Sequence, residues 1–422
     1  MTHCTYPGFS NKGGHKHQPI RRRRVELAPG VYAFIGYGSS NFAAITSNNG
    51  YILIDTGDGL DATQEAVQEI AQLAPGALQA IILTHSHPDH RGGAASFMGG
   101  RQVPVWAHSD FGVELKHGKG LEKVGAARGG KQFGVGIADE DYTPNSILPR
   151  FPDSTPGPLA QPNHFVSDDK EVLTIDGVTL ELYKIPGESP DTVVVWLPEQ
   201  KTLFTGDNVF YSFPNLYPIR GGIYRDVELW AKGVRRLIDF APEAIMFGHL
   251  EALVGDEIIP LLGNYAEAME YVYNATINGM NEGKTPDELA ATIELPVHLQ
   301  SLPYLGEYYG AIAWAVREIF AAKLGWFDGN PSKLVPLSPL EEAQRIARLA
   351  GGTPNLHNAA QAALQTKDYR WAAQLADYLL QLGQTETGRA IKAEALEALS
   401  KIILPMAGKN YLQRSAQDLR AE

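Results

Sequence analysis

The chain has 422 residues, 44% apolar and 20% charged, with a net charge of −12. That length points to two or three domains, and the acidic balance argues against sequence-independent binding to nucleic acid or an anionic membrane. The one cysteine, Cys4, excludes an intrachain disulfide, and no apolar run has the length of a membrane span.

The N-terminal arm, residues 1–24, has no apolar segment of the secretory kind, so a cytoplasmic location is expected. Its run Arg21 to Arg24 reads as a solvated tail or a partner contact. Across residues 25–255, short apolar or β-branched runs stop at Gly, Pro, Asn or Asp, as strands do. In chain order they are "GVYAFIG", "NFAAITSNNGYILIDTG", "ALQAIILTHSH", "VPVWAHS", "EVLTIDGVTLELYKIPG", "DTVVVWLPEQKTLFTGD" and "EAIMFGH". Helical periodicity falls between some of them, in "DATQEAVQEIAQLA" and "DVELWAKGVRRLIDFA". "VTLELYKI" alternates like a half-exposed strand and "AIIL" is apolar throughout like a central one; the mixture predicts an α/β or α+β sandwich.

Residues 256–422 change to almost pure helix, with small and large apolar residues at i, i+3, i+4 and i+7. Examples are "IIPLLGNYAEAMEYVYNATINGMN", "YYGAIAWAVREIFAAKL", "PLEEAQRIARLAGG" and "NAAQAALQTKDYRWAAQLADYLLQLGQ". Paired short helices stack in this way, although no strict repeat period is present. Tyr369 and Trp371 read as helix-packing core, and "LGWFDGNPSKLVPLSP" as a connector between helical layers.

Chemistry concentrates in "THSHPDH", where four ligand-type residues follow a buried strand. Period-two spacing at a strand end sends His85 and His87 to one side, and the next turn brings Asp89 and His90 to a second centre. Imidazole with carboxylate suits zinc, or manganese or iron. Asp191 reads as a helix or turn cap, and His108, His117, His164, His298 and His357 as scattered surface or core histidines.

The order "ILIDTG", "HSHPDH", "PGESPD", "TGDNV" and "FGH" resembles the metallo-β-lactamase superfamily. The resemblance implies an αββα sandwich with a two-metal site at its rim, hence two Zn2+ per chain. It implies a structural role for Asp55, a carboxylate bridge at Asp207, and His249 as last ligand of the second metal. Most members have histidine where this chain has Glu188. That glutamate, followed by "NLYPIRG", resembles the alkylsulfatase branch, which hydrolyses sulfate esters of aliphatic alcohols. The likeness runs from Arg24 to Arg420 and makes residues 256–422 that branch's dimerisation domain, so a homodimer is expected. Two departures stand out: the branch usually has glutamate at Asp207, implying a shorter bridge here, and the chain is expected to lack the branch's C-terminal sterol-carrier-like domain.

With two divalent ions, the carboxylates of Asp89, Glu188 and Asp207 remove three of four positive charges. A sulfate monoester is an anion, so a further cation is expected. Arg220 suits it because a guanidinium fork matches two sulfonate oxygens, with Asn215 as a neutral donor and Tyr217 as a weaker one. The bland alternative for Arg220 is a surface salt bridge. Competing readings are hydrolysis of a phosphodiester, thioester or lactone, and a non-catalytic helical-repeat interaction protein. Glu188 with the helical region counts against the first, and the intact ligand set against the second.

Overall fold

Alternating apolar residues on short strands build two sheets that bury their facing sides. The computed structural model describes residues 14–16, 20–138, 140–142 and 157–421; Cys4 lies outside them. The first sheet takes its strands in chain order: β1 (Arg23–Ala28), β2 (Val31–Ile35), β3 (Phe42–Ser47), β4 (Gly50–Ile54), β5 (Ala77–Ile82), β6 (Val105–His108) and β7 (His164–Val166). β1 to β4 form an antiparallel meander; from β4 onward neighbours are parallel, and the helix Leu60–Leu73 makes the first crossover. The second sheet holds β8 (Lys170–Ile175), β9 (Val178–Lys184), β10 (Val193–Leu197), β11 (Thr202–Phe204), β12 (Ala244–Met246) and β13 (Ala252–Val254), in the order β13-β12-β11-β10-β9-β8.

Ile45, Ile52 and Ile82 of the first sheet meet Leu180, Val195, Phe204 and Met246 of the second in the central core. Each such side chain contributes about 1.5–3 kcal/mol when fully buried. The outer face of the first sheet packs Phe34, Phe42 and Ile81 with Ala66 and Ile70 of the crossover helix. The outer face of the second packs Val194, Leu203 and Ile245 under Trp230 and Val234 of the helix Val227–Ile238, whose cap is the Asp226 carboxylate accepting from Leu229 N. The result is the αββα sandwich expected from the sequence.

The helical region shares that outer core. Leu261, Tyr265 and Met269 of the helix Ile258–Asn281 and Ile319 of the helix Ile312–Leu324 lie in the same apolar cluster as Trp230. Further on, the helices Thr353–Gln365, Tyr369–Gln381 and Thr385–Ser400 make a core of their own around Leu356, Leu375, Leu379 and Ile391. The last helix, Met406–Ala421, returns to the sandwich, where Asn410 Nδ2 donates to Gln132 O at 3.1 Å.

Two expectations need correction. Arg23 and Arg24 are not part of a solvated tail: they open β1, and Arg22, Arg23 and Arg24 pair with Glu65, Glu251 and Glu69. Trp371 is not core but 45% exposed, because its side chain faces a cavity rather than the neighbouring helices. Among the described residues, no helix is long and apolar enough to cross a membrane.

Candidate metal centre

Strand ends place the expected ligands together at one rim of the sandwich. The segment after β5 carries His85 and His87 and winds into a short turn, Pro88–His90. Asp207 sits in the turn Gly206–Asn208 that follows β11, and His249 comes shortly after β12. Glu188 lies between β9 and β10, its N–H donating to Asn208 Oδ1 at 3.2 Å. His85, His87, Glu188 and Asp207 offer ligand atoms within 4.8 Å of one another, and Asp89, His90 and His249 form a second such group. Asp207 lies between the groups: its Oδ2 is 3.5 Å from His85 Nε2 and 3.3 Å from His249 Nε2, and its Oδ1 is 3.3 Å from His90 Nε2.

Each of the four histidines commits one ring nitrogen to an outer partner and turns the other inward. His85 Nδ1 meets Thr84 Oγ1 at 3.0 Å, and His87 Nε2 meets Glu114 Oε2 at 3.0 Å. His90 Nδ1 meets Asp55 Oδ2 at 2.8 Å, and His249 Nδ1 donates to Ser39 O at 2.8 Å. Fixing one nitrogen in this way sets the tautomer and aim of a metal-ligating imidazole. Asp55 also accepts from Thr84 N and Oγ1, at 2.8 and 2.7 Å, so one buried carboxylate braces both ends of the ligand segment. The group fits a divalent cation by its donors: His90 Nε2, Glu188 Oε2 and Asp207 Oδ1 are buried with no hydrogen-bond partner, a costly arrangement unless a ligand completes it.

The charges reinforce one another. Burial alone would push His249 down, but Asp207 and Asp89 carry it up to about 9. Burial would likewise raise Asp207, and His249, His90 and His85 hold it well below the usual carboxylate range. Burial also opposes charge on His87, yet Glu188 and Glu114 move it upward.

Two groups around the centre, one buried and one largely buried, carry no sequence signature. Arg225, 2% exposed, donates through Nη1 to Glu188 Oε1 and, at 2.6 Å, to Asn215 O. Glu114 accepts from His87 and lies 3.6 Å from Arg220 Nη2; against the effect of burial, His87 and the two arginines keep it well below the ordinary carboxylate range. Arg220 thus reaches the rim of the centre, with Nη1 donating to Gly221 O at 3.0 Å. With its amide turned to the orientation that satisfies both ends, Asn215 is committed within the protein, its oxygen accepting from Arg225 Nη1 at 3.0 Å and its nitrogen donating to Tyr217 O at 3.2 Å. Tyr217 lines a cavity that it shares with the helical region. Asp191 accepts from Ser189 Oγ through Oδ1 within its own turn, and its Oδ2 accepts from Gly112 N at 2.8 Å across the fold.

Comparison with known proteins matches residues 35–249 to the metallo-beta-lactamase superfamily and residues 285–422 to the alkyl sulfatase dimerisation family. A linear primary-alkylsulfatase of Pseudomonas sp. is 30% identical over 395 residues, covering 90% of this chain and 74% of that protein. An (R)-specific secondary-alkylsulfatase, also from Pseudomonas sp., is 29% identical over 94% of this chain, which spans only 62% of its length. The solved structure of a stereoselective inverting sec-alkylsulfatase from Pseudomonas sp. superposes with a TM-score of 0.86 at 29% identity, over 94% of this chain and 66% of that one.

Proposed function

This chain belongs to the alkylsulfatase branch of the metallo-β-lactamase superfamily, and we propose that it hydrolyses sulfate esters of aliphatic alcohols to alcohol and inorganic sulfate. The observation that carries the reading is the place of Glu188, a carboxylate ligand-type residue grouped with His85, His87 and Asp207 and backed by the buried Arg225.

His85, His87, Glu188 and Asp207 would hold one metal, and Asp89, His90 and His249 with Asp207 the second. Zinc is the first choice for this donor set, with manganese or iron as alternatives. Two such ions, when bound, would supply an activated water and polarise the ester oxygen. The chain's own residues do the rest. Asp55, Glu114, Thr84 and the Ser39 carbonyl hold the imidazoles in register. Arg220, beside Glu114 and with Nη1 on the Gly221 carbonyl, would take sulfonate oxygens. Arg225 neutralises Glu188, so the centre keeps a positive surplus that favours an anionic ester.

A homodimer through the helical region is part of this reading. Trp326 is 77% exposed, Val335 88% and Leu349 85%, and apolar side chains so open on one region suit a second copy. Sulfate release by the metal-reconstituted protein, compared across alkyl, aryl and choline sulfates, tests the function. Turnover of alkyl esters is expected, and turnover of lactones or phosphodiesters without sulfate release would replace the reading.

A further inference from the structure

Gln132 closes the helix Glu122–Gln132 and is 1% exposed. Its amide joins two parts of the fold: Oε1 accepts from Arg220 N at 2.8 Å, and Nε2 donates to the Tyr309 hydroxyl at 2.8 Å. A backbone N–H can only donate, so the amide oxygen has to face Arg220 and the nitrogen Tyr309. We propose that Gln132 is the positioning residue for Arg220, holding its guanidinium where the head of the ester binds. The inference rests on the reading above of Arg220 as the cation for sulfonate oxygens.

The grip on one peptide unit carries the proposal. One turn before Gln132 on the same helix, Arg128 Nη2 donates to Ile219 O at 2.6 Å. The Ile219 carbonyl and the Arg220 N–H belong to one planar, rigid peptide. With its oxygen held by Arg128 and its N–H by Gln132, the plane of that peptide is set, and so is the direction in which the Arg220 side chain leaves the backbone. The helix is itself a fixed point, because the last helix anchors it. Asn410, 1% exposed, donates through Nδ2 to Gln132 O at 3.1 Å, and Lys131 pairs with Asp418 at 3.0 Å. Gly134, at φ +71°, keeps this contact close: a Cβ there would lie 3.0 Å from Asn410 Cγ and 3.0 Å from Tyr142 Cε2.

The Arg220 side chain needs this help. It is 25% exposed, its Nη1 bonds only the neighbouring Gly221 carbonyl, and its Nη2 stands 3.6 Å from Glu114 Oε2, beyond a direct hydrogen bond. A guanidinium that meets two oxygens of one sulfonate must be aimed closely, and here the aim comes from the backbone. Glutamine suits the task because it offers a donor and an acceptor without charge. A carboxylate in its place would oppose an anionic ester. Through Tyr309 and Asn410 the helical region thereby reaches the cation of the head-group site.

The test is calorimetric binding of octanesulfonate, whose C–S bond is not hydrolysed, to the metal-reconstituted full chain, with kcat and KM for octyl sulfate alongside. Gln132→Met removes both side-chain hydrogen bonds. Gln132→Asn keeps an amide that is one methylene too short to span Arg220 and Tyr309, and it serves if the methionine variant fails to fold. Each should raise Kd and KM together by about tenfold, since misplacing a contact by about 1 Å costs up to about 100-fold, while kcat and metal content stay within about twofold of native. In an Arg220→Ala background neither substitution should weaken binding further, because the group that Gln132 aims is gone. The same loss in both backgrounds would make Gln132 merely structural, and an unchanged Kd in the folded variants would leave it no role; either overturns the proposal. Octanesulfonate that does not bind the native protein, or binds as well after Arg220→Ala, overturns it too. If binding follows the predicted cycle while no ester releases sulfate, the functional reading fails and the positioning role stands.

Discussion

Arg225 and Glu188 form an ion pair sealed from solvent, their side chains 2% and 6% exposed. Removing one partner of such a pair leaves a buried charge and costs about 3–5 kcal/mol. Arg225→Met should therefore lower the melting temperature and release metal from the group that contains Glu188. Arg225→Lys should rescue only part, because an ammonium cannot reproduce the guanidinium fork that reaches both Glu188 and the Asn215 carbonyl. Thermal unfolding and elemental analysis of the three proteins check this; full metal content and stability in Arg225→Met would contradict it.

The same pair changes what Glu188→His would do. By charge alone the substitution adds one positive charge to the metal site and shifts substrate preference. With Arg225 beneath it, the substitution also strands a buried guanidinium, so the single variant should lose both metal and stability. Adding Arg225→Met should restore folding by several degrees and return metal binding. A double variant no better than the single one in melting temperature and metal content would show that the two residues are not coupled.

Much of this centre was legible in the sequence. His85, His87, Asp89 and His90 stand together in one segment after an apolar strand; since that strand ends at Ile82, the bend and the turn Pro88–His90, rather than strand period, decide how they divide. Asp207, Glu188 and His249 were found through motif order. Arg225 and Glu114 were not, because each reaches its partner only across the fold, 37 and 27 residues away along the chain, from segments without periodic signal. Tertiary pairing likewise decided the fate of Arg22 to Arg24: acidic residues of the crossover helix and of the segment next to His249 turned a basic run into an anchored strand. For Trp371 the helical period correctly gave a helix. Whether the ring met a neighbour or a cavity depended on how the last helix returns to the sandwich.

Gly248 shows how closely backbone approaches the proposed bridging carboxylate. A Cβ at this position would fall 1.9 Å from Asp207 Oδ1 and 2.8 Å from the Gly206 carbonyl carbon. Gly248→Ala must move Asp207, and a displaced ligand lowers metal affinity by about 10- to 100-fold or more. Elemental analysis after gel filtration should find metal lost while far-ultraviolet circular dichroism stays native; undiminished metal content would show that Asp207 is not a ligand.

Glu307 supplies a pH dependence away from the metal groups. Burial and the nearby Glu294 push its carboxyl up to about 8, even though it accepts from Ile312 N at 2.7 Å. The folded protein then holds a proton that the unfolded chain releases above the ordinary glutamate range near 4.5. Folding stability should fall as pH rises from about 4.5 to about 8. Glu307→Gln keeps an acceptor without the charge, so it should gain about 1–3 kcal/mol over the native protein at pH 8 and little at pH 5. Urea midpoints at the two pH values check the sign; an equal difference at both would place the cause elsewhere.

The central claim is that a pair of metals held by seven side chains releases sulfate from an alkyl ester. Its most direct test is sulfate release from decyl sulfate as chelated protein is titrated with Zn2+, and separately with Mn2+ or Fe2+. Release should be negligible without metal, and activity should rise to a plateau at two equivalents per chain. Full activity at one equivalent would contradict the two-metal centre, and no sulfate at any loading with any of the three metals would contradict the activity itself.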